Sequence, residues 1–175
     1  RYVSLLQRIA PEYRNFQDVR QTFATADGAY FISRNYIFLI SAEQVKVWTT
    51  NSAFLKAFWL QDRLIVREEG TGLLELKQGD FTLLPGSERF ADTSVFMLEV
   101  FDATTLLAGS REGELFLLNS KGSERWHTDI DDALPRALLY SALRLNNGDF
   151  ALGTSQDGLY ILSAQGKLKS HITKQ

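Results

Sequence analysis

One pattern of short apolar runs and turn residues recurs four times along this chain. Two copies are closely similar, because residues 106–123 read LLAGSREGELFLLNSKGS and residues 150–167 read FALGTSQDGLYILSAQGK. A third copy spans residues 64–80, and a more divergent copy spans residues 30–46. The turn residues that close the copies lie 35, 43 and 44 residues apart, at Gln44, Gly79, Gly122 and Gly166. A repeat of this period predicts supersecondary units that stack on one another.

Each copy predicts the same four-strand unit. A hairpin of two short apolar strands lies at its centre, an apolar run precedes the hairpin, and a further strand follows its closing turn. The preceding runs are residues 19–24, 54–60, 95–101 and 138–145. The final strands are residues 45–49, 81–84, 124–127 and 168–172. β-Branched and aromatic residues are frequent in these runs, and all three prolines lie outside them, at Pro11, Pro85 and Pro135.

Four strands repeated at this spacing are typical of β-propeller blades. We therefore predict an all-β fold, a β-propeller fragment of about four four-stranded blades that forms an open arc of a larger propeller. The blades are expected at residues 18–51, 52–92, 93–136 and 137–175, together one domain. Residues 1–17 are expected to form an N-terminal segment, for which part of a preceding blade is one option. Since Arg1 stands in place of a starting Met, we expect a piece of a longer protein.

Helices and end faces add two further expectations. The best helix candidates are residues 2–9 and 130–139, and Pro135 limits the second to one short turn.

An open arc leaves one face of its first blade and one face of its last blade uncovered. Apolar surface of that size favours a partner, so we expect self-association, or an N-terminal segment that folds over one exposed face.

Composition and charge exclude several classes of function. The 175 residues carry a net charge of −2 without a basic stripe, so we expect no nucleic-acid binding. The chain has no cysteine, which removes disulfides, Cys nucleophiles and Cys zinc sites. The longest apolar runs, such as YIFLI at residues 36–40, are far shorter than the roughly 20 residues of a membrane-spanning helix.

Two stretches carry a resemblance to a known family. LGTSQDGLYIL at residues 152–162 and AGSREGELFLL at residues 108–118 resemble the two-component regulator propeller repeat. That repeat has an apolar strand, Gly-Thr, a Gly-containing turn and then Leu-aromatic-apolar-apolar. Residues 11–31, PEYRNFQDVRQTFATADGAYF, are also similar to the leading blade of such sensor proteins. The first two copies depart from the pattern, with Ile32-Ser33 and Val66-Arg67 in place of Gly-Thr.

The resemblance implies the extracytoplasmic sensor region of a bacterial receptor of the hybrid histidine kinase or diguanylate cyclase type. It implies a non-catalytic, ligand-sensing, periplasmic part of an inner-membrane protein, which contacts the membrane only through its parent. The implied partners are a small-molecule or glycan signal, other blades and the output domains of the receptor. The alternative is a scaffold propeller that binds another protein and no small ligand; an enzyme on this fold is the third option.

The chain also resembles a second family, the quinoprotein-like propellers, whose blades close with a Gly followed a few residues later by a docking Trp. Here Trp126 follows Gly122 and Trp48 follows Gln44, but the other two copies have Leu83 and Ser170 at that place. A Trp in a blade strand usually packs between sheets. We therefore interpret both Trp residues as packing residues and predict no bound quinone and no other cofactor.

Catalytic and metal chemistry has little support. The acidic cluster at residues 129–132 lacks the ligand spacing of a calcium loop and is expected to be a solvated loop. Residues 67–69, REE, are expected to be exposed charges in a hairpin turn. His127 and His171 are the only histidines, both expected in outermost strands, so we expect no catalytic triad and no His metal site. We predict no catalytic residue and no metal.

Ligand-binding positions are expected in the links that lead into the inner strands, because binding residues favour loops on a rigid scaffold. These links are residues 16–20, 89–94 and 132–140. The candidate residues within them are Arg20, Arg89, Ser94, Arg136 and Tyr140.

Overall fold

The computed structural model describes residues 4–173, and this part of the chain contains sixteen β-strands in four separate sheets. The first sheet contains β1 Gln21–Thr25, β2 Gly28–Ile32, β3 Tyr36–Ile40 and β4 Val45–Thr49. The second contains β5 Phe54–Leu60, β6 Arg63–Glu68, β7 Gly72–Lys77 and β8 Asp80–Leu83. The third contains β9 Val95–Val100, β10 Leu106–Ser110, β11 Leu115–Asn119 and β12 Gly122–Arg125. The fourth contains β13 Leu139–Arg144, β14 Phe150–Thr154, β15 Leu159–Leu162 and β16 Leu168–Ile172.

Every sheet is an antiparallel meander whose strands pair in chain order. The first strands of consecutive sheets contact one another, so β1, β5, β9 and β13 are the inner strands of the arc. The sheets form an open arc and not a closed ring. The predicted fold, a β-propeller fragment of four four-stranded blades, is confirmed.

Three apolar cores lie between neighbouring sheets, because successive side chains along a strand point to opposite faces. In β6, Leu64 and Val66 pack with the first sheet, whereas Ile65 packs with the third. In β10, Leu107 packs with the fourth sheet and Ala108 with the second. The central strands are therefore buried on both faces, which explains their nearly continuous apolar sequence.

The N-terminal segment covers the outward face of the first sheet. It contains two 3-10 helices, Leu5–Arg8 and Pro11–Tyr13. Ile9 is only 4% exposed and packs with Phe38 and Ile40 of β3, and the Phe16 ring centre lies 5.0 Å from that of Phe38. The expectation that an N-terminal segment folds over one exposed face is confirmed.

Two other expectations concern this segment. Residues 4–17 contain no strand, and their membership of a preceding blade stays a prediction. The expected helix needs correction. Of the helix expected at residues 2–9, only the short 3-10 helix Leu5–Arg8 forms; Tyr2 and Val3 lie outside the described residues. A chain that packs directly on a sheet face satisfies its apolar side chains without a longer helix.

The outward face of the fourth sheet has no comparable cover within residues 4–173. Phe150 and Leu152 are buried against the third sheet, whereas Leu143 and Ile172 are 59% and 56% exposed. This face is the apolar surface from which self-association was expected, and that expectation stays a prediction.

Short helices occur in two of the links between sheets. The 3-10 helix Ser87–Phe90 connects the second and third sheets. The α-helix Leu134–Ala137 connects the third and fourth sheets, and Pro135 lies in its first turn, where proline is tolerated. The expectation of no more than one short helical turn here is confirmed. No helix within residues 4–173 combines the length and the apolar character needed to cross a lipid bilayer.

Candidate functional site

The inner strands of three consecutive sheets carry a β-bulge at the same place. In β5, Phe54 pairs with Glu68 and Lys56 with Arg67, so Leu55 is the extra residue. The corresponding extra residues are Phe96 in β9 and Tyr140 in β13. A bulge turns one side chain away from the regular alternation of its strand. Each of these sheets therefore redirects one large side chain near the start of its inner strand.

Two of these side chains meet across the third and fourth sheets. The ring centres of Phe96 and Tyr140 lie 6.3 Å apart, and the guanidinium carbon of Arg111 lies 5.5 Å from the Phe96 ring centre. Tyr140 is 64% exposed, although it belongs to a strand. We call Phe96, Arg111 and Tyr140 the bulge surface. It offers an aromatic face beside a cationic group with several hydrogen-bond donors.

The backbone before Tyr140 is held in an unusual conformation. Leu138 ends the preceding helix with a left-handed φ of 57°, which costs a non-glycine residue about 1–2 kcal/mol. Its carbonyl accepts the backbone N–H of Ser155 at 2.9 Å, and the carbonyl of Ala137 accepts that of Gln156 at 3.1 Å. The link to β13 is therefore tied to the turn that follows β14.

The five sequence-predicted residues fall into different surroundings. Tyr140 is part of the bulge surface, and Ser94 adjoins it, since the carbonyl of Ser94 accepts the N–H of Arg111 at 3.1 Å. Arg136 is exposed on the helix before Tyr140. Arg20 lies before β1 and pairs with Asp18, with a distance of 3.0 Å from Nε to Oδ2.

Arg89 has a packing role on the third sheet. Its guanidinium carbon lies 3.9 Å from the centre of the Phe116 ring, and its Nη1 lies 3.4 Å from Ser123 Oγ. Sequence reasoning missed Phe96 and Arg111. Alignment of the inner strands would have placed Phe96 at the position equivalent to Tyr140. The bulge itself depends on strand register, which cannot be read from the sequence.

Arg67 is a correction to the sequence analysis. It was expected in an exposed turn, but it lies within β6 and is only 5% exposed. Its Nε donates to the carbonyl of Phe90 at 3.0 Å, and its Nη2 donates to the carbonyl of Ala91 at 2.9 Å. Burial lowers the pKa of Arg67, and the charges of Glu69 and Asp92 act in the opposite direction. Of the REE stretch, Glu69 is exposed as expected.

Strand register explains the position of Arg67. Arg67 pairs with Leu73 as Gly109 pairs with Leu115 and as Gly153 pairs with Leu159. The dipeptide at the Gly-Thr position of the second sheet is therefore Arg67-Glu68, one residue later than the sequence alignment placed it.

Space between the sheets decides which residue fits at this register position. A Cβ atom on Gly109 would lie 2.5 Å from Leu139 Cδ2 and 2.6 Å from Met97 Sδ, so the third sheet has no room for a side chain. The equivalent position of the second sheet holds a long side chain that reaches the next link.

The acidic cluster and His127 stabilise the link between the third and fourth sheets. Asp129 accepts hydrogen bonds from Lys167 Nζ at 3.0 Å and from the backbone N–H of Leu168 at 3.1 Å, and these bonds lower its pKa. Burial acts to raise the pKa of Asp131, but hydrogen bonds from Thr128 and His127 outweigh it and lower that pKa. No group of three potential metal-ligating side chains occurs in the described part of the chain.

One histidine prediction needs correction. His171 lies in the outermost strand β16, but His127 lies two residues after β12 ends, with its Nδ1 2.9 Å from Asp131 Oδ2. Asp131 also accepts the backbone N–H of Thr128 at 3.0 Å. The ring is therefore held by the link and not by strand pairing.

Both tryptophans that follow a closing turn pack between sheets, as interpreted from the sequence. Trp126 lies between the third and fourth sheets, with its ring centre 5.6 Å from that of Phe150. Trp48 lies between the first and second sheets, and its Nε1 donates to the carbonyl of Gly79 at 2.7 Å.

Comparisons with known proteins support the fold. No family model and no curated protein matches the sequence. The solved structure of YCF48 from Cyanidioschyzon merolae is similar at a TM-score of 0.66 and 12% identity, over 90% of this chain and 55% of that one. YCF48 bound to D1 peptide is similar at a TM-score of 0.61 and 13% identity, over 82% and 49%.

The extracellular domain of the putative hybrid two-component system BT4673 from B. thetaiotaomicron is also similar. Its TM-score is 0.66 at 16% identity, over 93% of this chain and 22% of that one. This chain thus spans about half of each YCF48 structure and less than a quarter of the BT4673 domain. The similarity confirms a propeller-type fold.

Proposed function

We propose that this chain is a non-catalytic, ligand-sensing part of the extracytoplasmic propeller of a bacterial signal-transduction receptor. The observation that carries this proposal is the bulge surface, where the exposed Tyr140 ring lies beside Phe96 and Arg111. Similarity to the extracellular domain of BT4673 supports the cellular setting, which is the periplasmic side of an inner-membrane protein.

The chemistry of the bulge surface favours a small molecule or glycan with one flat apolar face and several acceptor oxygens. Aromatic rings provide apolar contact area, and the Tyr140 hydroxyl can donate or accept a hydrogen bond. Arg111 supplies planar N–H donors beside the Phe96 ring. Ser94 accepts a hydrogen bond from the backbone N–H of Arg111, and Arg136 lies on the short helix before Tyr140; these two residues would form the rim of the surface.

Signal transfer requires that the ligand bind one arrangement of the receptor more tightly than another. The bulge surface spans the third and fourth sheets, so a ligand that contacts both Phe96 and Tyr140 would be sensitive to the angle between these sheets. A shift in that angle would reach the output domains of the receptor through the blades and through a change in dimer geometry.

A thermal-shift screen with mono- and disaccharides and amino acids tests the proposal, because a ligand raises the melting temperature by mass action. The chain is compared with Tyr140→Ala and with Leu143→Ala, which alters an exposed side chain of the same strand. A compound that stabilises the unmodified chain and Leu143→Ala, but not Tyr140→Ala, supports the proposal. Equal stabilisation of all three contradicts the site.

A protein-binding scaffold is the second candidate function. It is favoured by the exposed apolar side chains of Leu143 and Ile172 on the open face of the fourth sheet, and YCF48, a structural neighbour, has been solved with a bound peptide. A screen in which no compound changes the melting temperature would favour this function. The gene sequence after Gln175 discriminates further, since a β-sandwich followed by one apolar span of about 20 residues is expected only for the receptor.

A further inference from the structure

A groove lies between the first and second sheets, at the opposite end of β5 from the bulge at Leu55. Its volume is about 700 Å³, which is within the range of small-molecule sites. Four turns form its rim, at residues 25–28, at residues 41–44, at Asp62 and at residues 78–79. Neither the proposed sensing function nor the bulge surface involves any of these residues.

The floor of the groove is aromatic. The ring centre of Tyr30 lies 5.7 Å from that of Trp59 and 6.2 Å from that of Trp48, so one tyrosine lies between two indoles. The hydrogen bond from Trp48 Nε1 to Gly79 fixes the orientation of its indole across the two sheets. Tyr30 is buried, whereas both indoles are half-buried and line the groove. The electron-rich faces of such rings attract cations.

The rim of the groove is acidic. Asp27, Glu43 and Asp62 come from three different turns, and Lys46 is the one basic side chain among the lining residues, so the lining has a net charge of −2. Burial, and then the charge of Asp27, raises the pKa of Tyr30, which places this ring within the field of the carboxylate. The groove therefore combines aromatic faces with a negative potential that repels anions.

The cleft between the second and third sheets provides a contrast within the same molecule. Its volume is about 440 Å³ and its charged lining residues are Arg63, Lys77, Glu75 and Asp102. Arg63 and Lys77 neutralise Glu75, at 2.8 Å and 3.0 Å from its carboxylate oxygens. That cleft has balanced charge and no aromatic lining residue, so it lacks both features that select a cation.

We propose that the groove between the first and second sheets binds a small organic ammonium ion. The aromatic floor would contact the alkyl groups and the positive charge, and the rim carboxylates would add a longer-range attraction. The volume is sufficient for a compact cation with several methyl groups. This inference does not depend on the proposed sensing function, because the two sites lie at opposite ends of the inner strands.

Choline and its neutral isostere, in which a tert-butyl group replaces the trimethylammonium group, separate charge from shape. Intrinsic fluorescence reports binding directly, since Trp48 and Trp59 line the groove and Trp126 is the only other tryptophan. A Trp126→Phe background removes that third signal. We expect a saturable fluorescence change with choline and affinity at least about 10-fold weaker for the isostere.

Asp62→Asn is the variant best suited to test the rim. Asp62 has a left-handed φ of 58°, and asparagine adopts this conformation readily, so the turn should be retained. We expect choline to bind about 3-fold more weakly to Asp62→Asn, and about 10-fold more weakly when Asp27→Asn is added. Glu112→Gln, an exposed site on the third sheet, is the matched control and should leave choline affinity unchanged.

Three results would overturn the inference. The first is equal affinity for choline and the isostere, which would show apolar binding alone. The second is a lack of specific binding, seen either as a fluorescence change that does not saturate or as a choline affinity that Glu112→Gln lowers as much as Asp62→Asn does. The third is an acetylated, amidated Gly-Gly-Lys-Gly-Gly peptide that binds more tightly than choline, which would assign the groove to a lysine of a protein partner.

Discussion

The Nε of Arg67 donates a 3.0 Å hydrogen bond to the backbone carbonyl of Phe90, and this bond joins the second sheet to the link that leads into the third. A second bond, from Nη2, reaches the adjacent carbonyl of Ala91. The same link continues into β9, where the bulge presents Phe96. A buried charged side chain of one blade therefore holds the backbone that leads to the bulge surface of the next.

Replacement of Arg67 by Leu should destabilise the protein by about 2–4 kcal/mol, because the buried carbonyl of Phe90 loses its donor. Urea denaturation monitored by tryptophan fluorescence measures this loss. Arg34→Leu is the matched control, since Arg34 lies 3.6 Å from Glu69 in an exposed ion pair and such pairs contribute at most about 1 kcal/mol. Similar losses for the two variants would contradict the structural role of Arg67.

Substitution of Gly166 tests how closely the turn between β15 and β16 approaches the link that follows the third sheet. Its φ is +77°, and an added Cβ would lie 2.6 Å from the carbonyl oxygen of His127. Gly148 has a similar φ of +83° but no atom within 4 Å of the added Cβ. Both alanine variants should lose about 1 kcal/mol from backbone strain, and Gly166→Ala should lose at least about 1 kcal/mol more. Equal unfolding free energies would show that the turn and the link can move apart at no cost.

Substitution of Ile9 tests whether the N-terminal segment stays packed on the outward face of the first sheet. Ile9→Ala should lower the free energy of unfolding by about 2–4 kcal/mol, because a buried side chain is truncated against Phe38 and Ile40. Leu6→Ala, in the preceding 3-10 helix, alters an exposed side chain and should change it by less than about 0.5 kcal/mol. A negligible effect of Ile9→Ala would mean that the segment does not stay on the sheet in solution.

The raised pKa of Tyr160 predicts a loss of stability at alkaline pH. Burial, together with the hydrogen bond to Asp157 and the charge of that residue, raises its pKa from 10.0 to about 12. The neutral phenol is therefore favoured in the folded state. Its contribution to stability is complete below pH 10.0 and is lost as the pH rises through about 12. Ultraviolet titration should show a phenolate that forms near pH 12 in the folded protein and is absent in Tyr160→Phe. Tyr30, whose pKa is also raised, should keep its delayed ionisation in that variant. Ionisation of all tyrosines near pH 10.0 would contradict this account.

The strand pattern was predictable because it depends on local sequence. Residues 45–49, 54–60 and 168–172 were predicted as strands, and the structure has β4, β5 and β16 at those bounds. Strands are marked by short runs of apolar residues, and turns are marked by the residues that favour them. Both signals lie within short segments of the sequence. A repeat of four such segments then leaves few architectures other than stacked blades.

The details of the candidate site depend on contacts between distant segments. Arg67 precedes two glutamates in the sequence, and the stretch therefore resembles an exposed turn; its burial follows from the position of the link at Phe90 and Ala91. The juxtaposition of Phe96 with Tyr140 depends on bulges in two different inner strands. Such effects depend on the paired strand and on the neighbouring sheet. The residues of both lie far along the sequence from the residue that they affect.

Hydrogen–deuterium exchange with and without the ligand from the thermal-shift screen tests the sensing proposal most directly, because it locates binding without a substitution. The account predicts slower exchange in the peptides that contain Phe96, Arg111 and Tyr140, and unchanged exchange in β3 and β4 of the first sheet. Protection confined to the first sheet, or absent from all three bulge-surface peptides at saturating ligand, would contradict it.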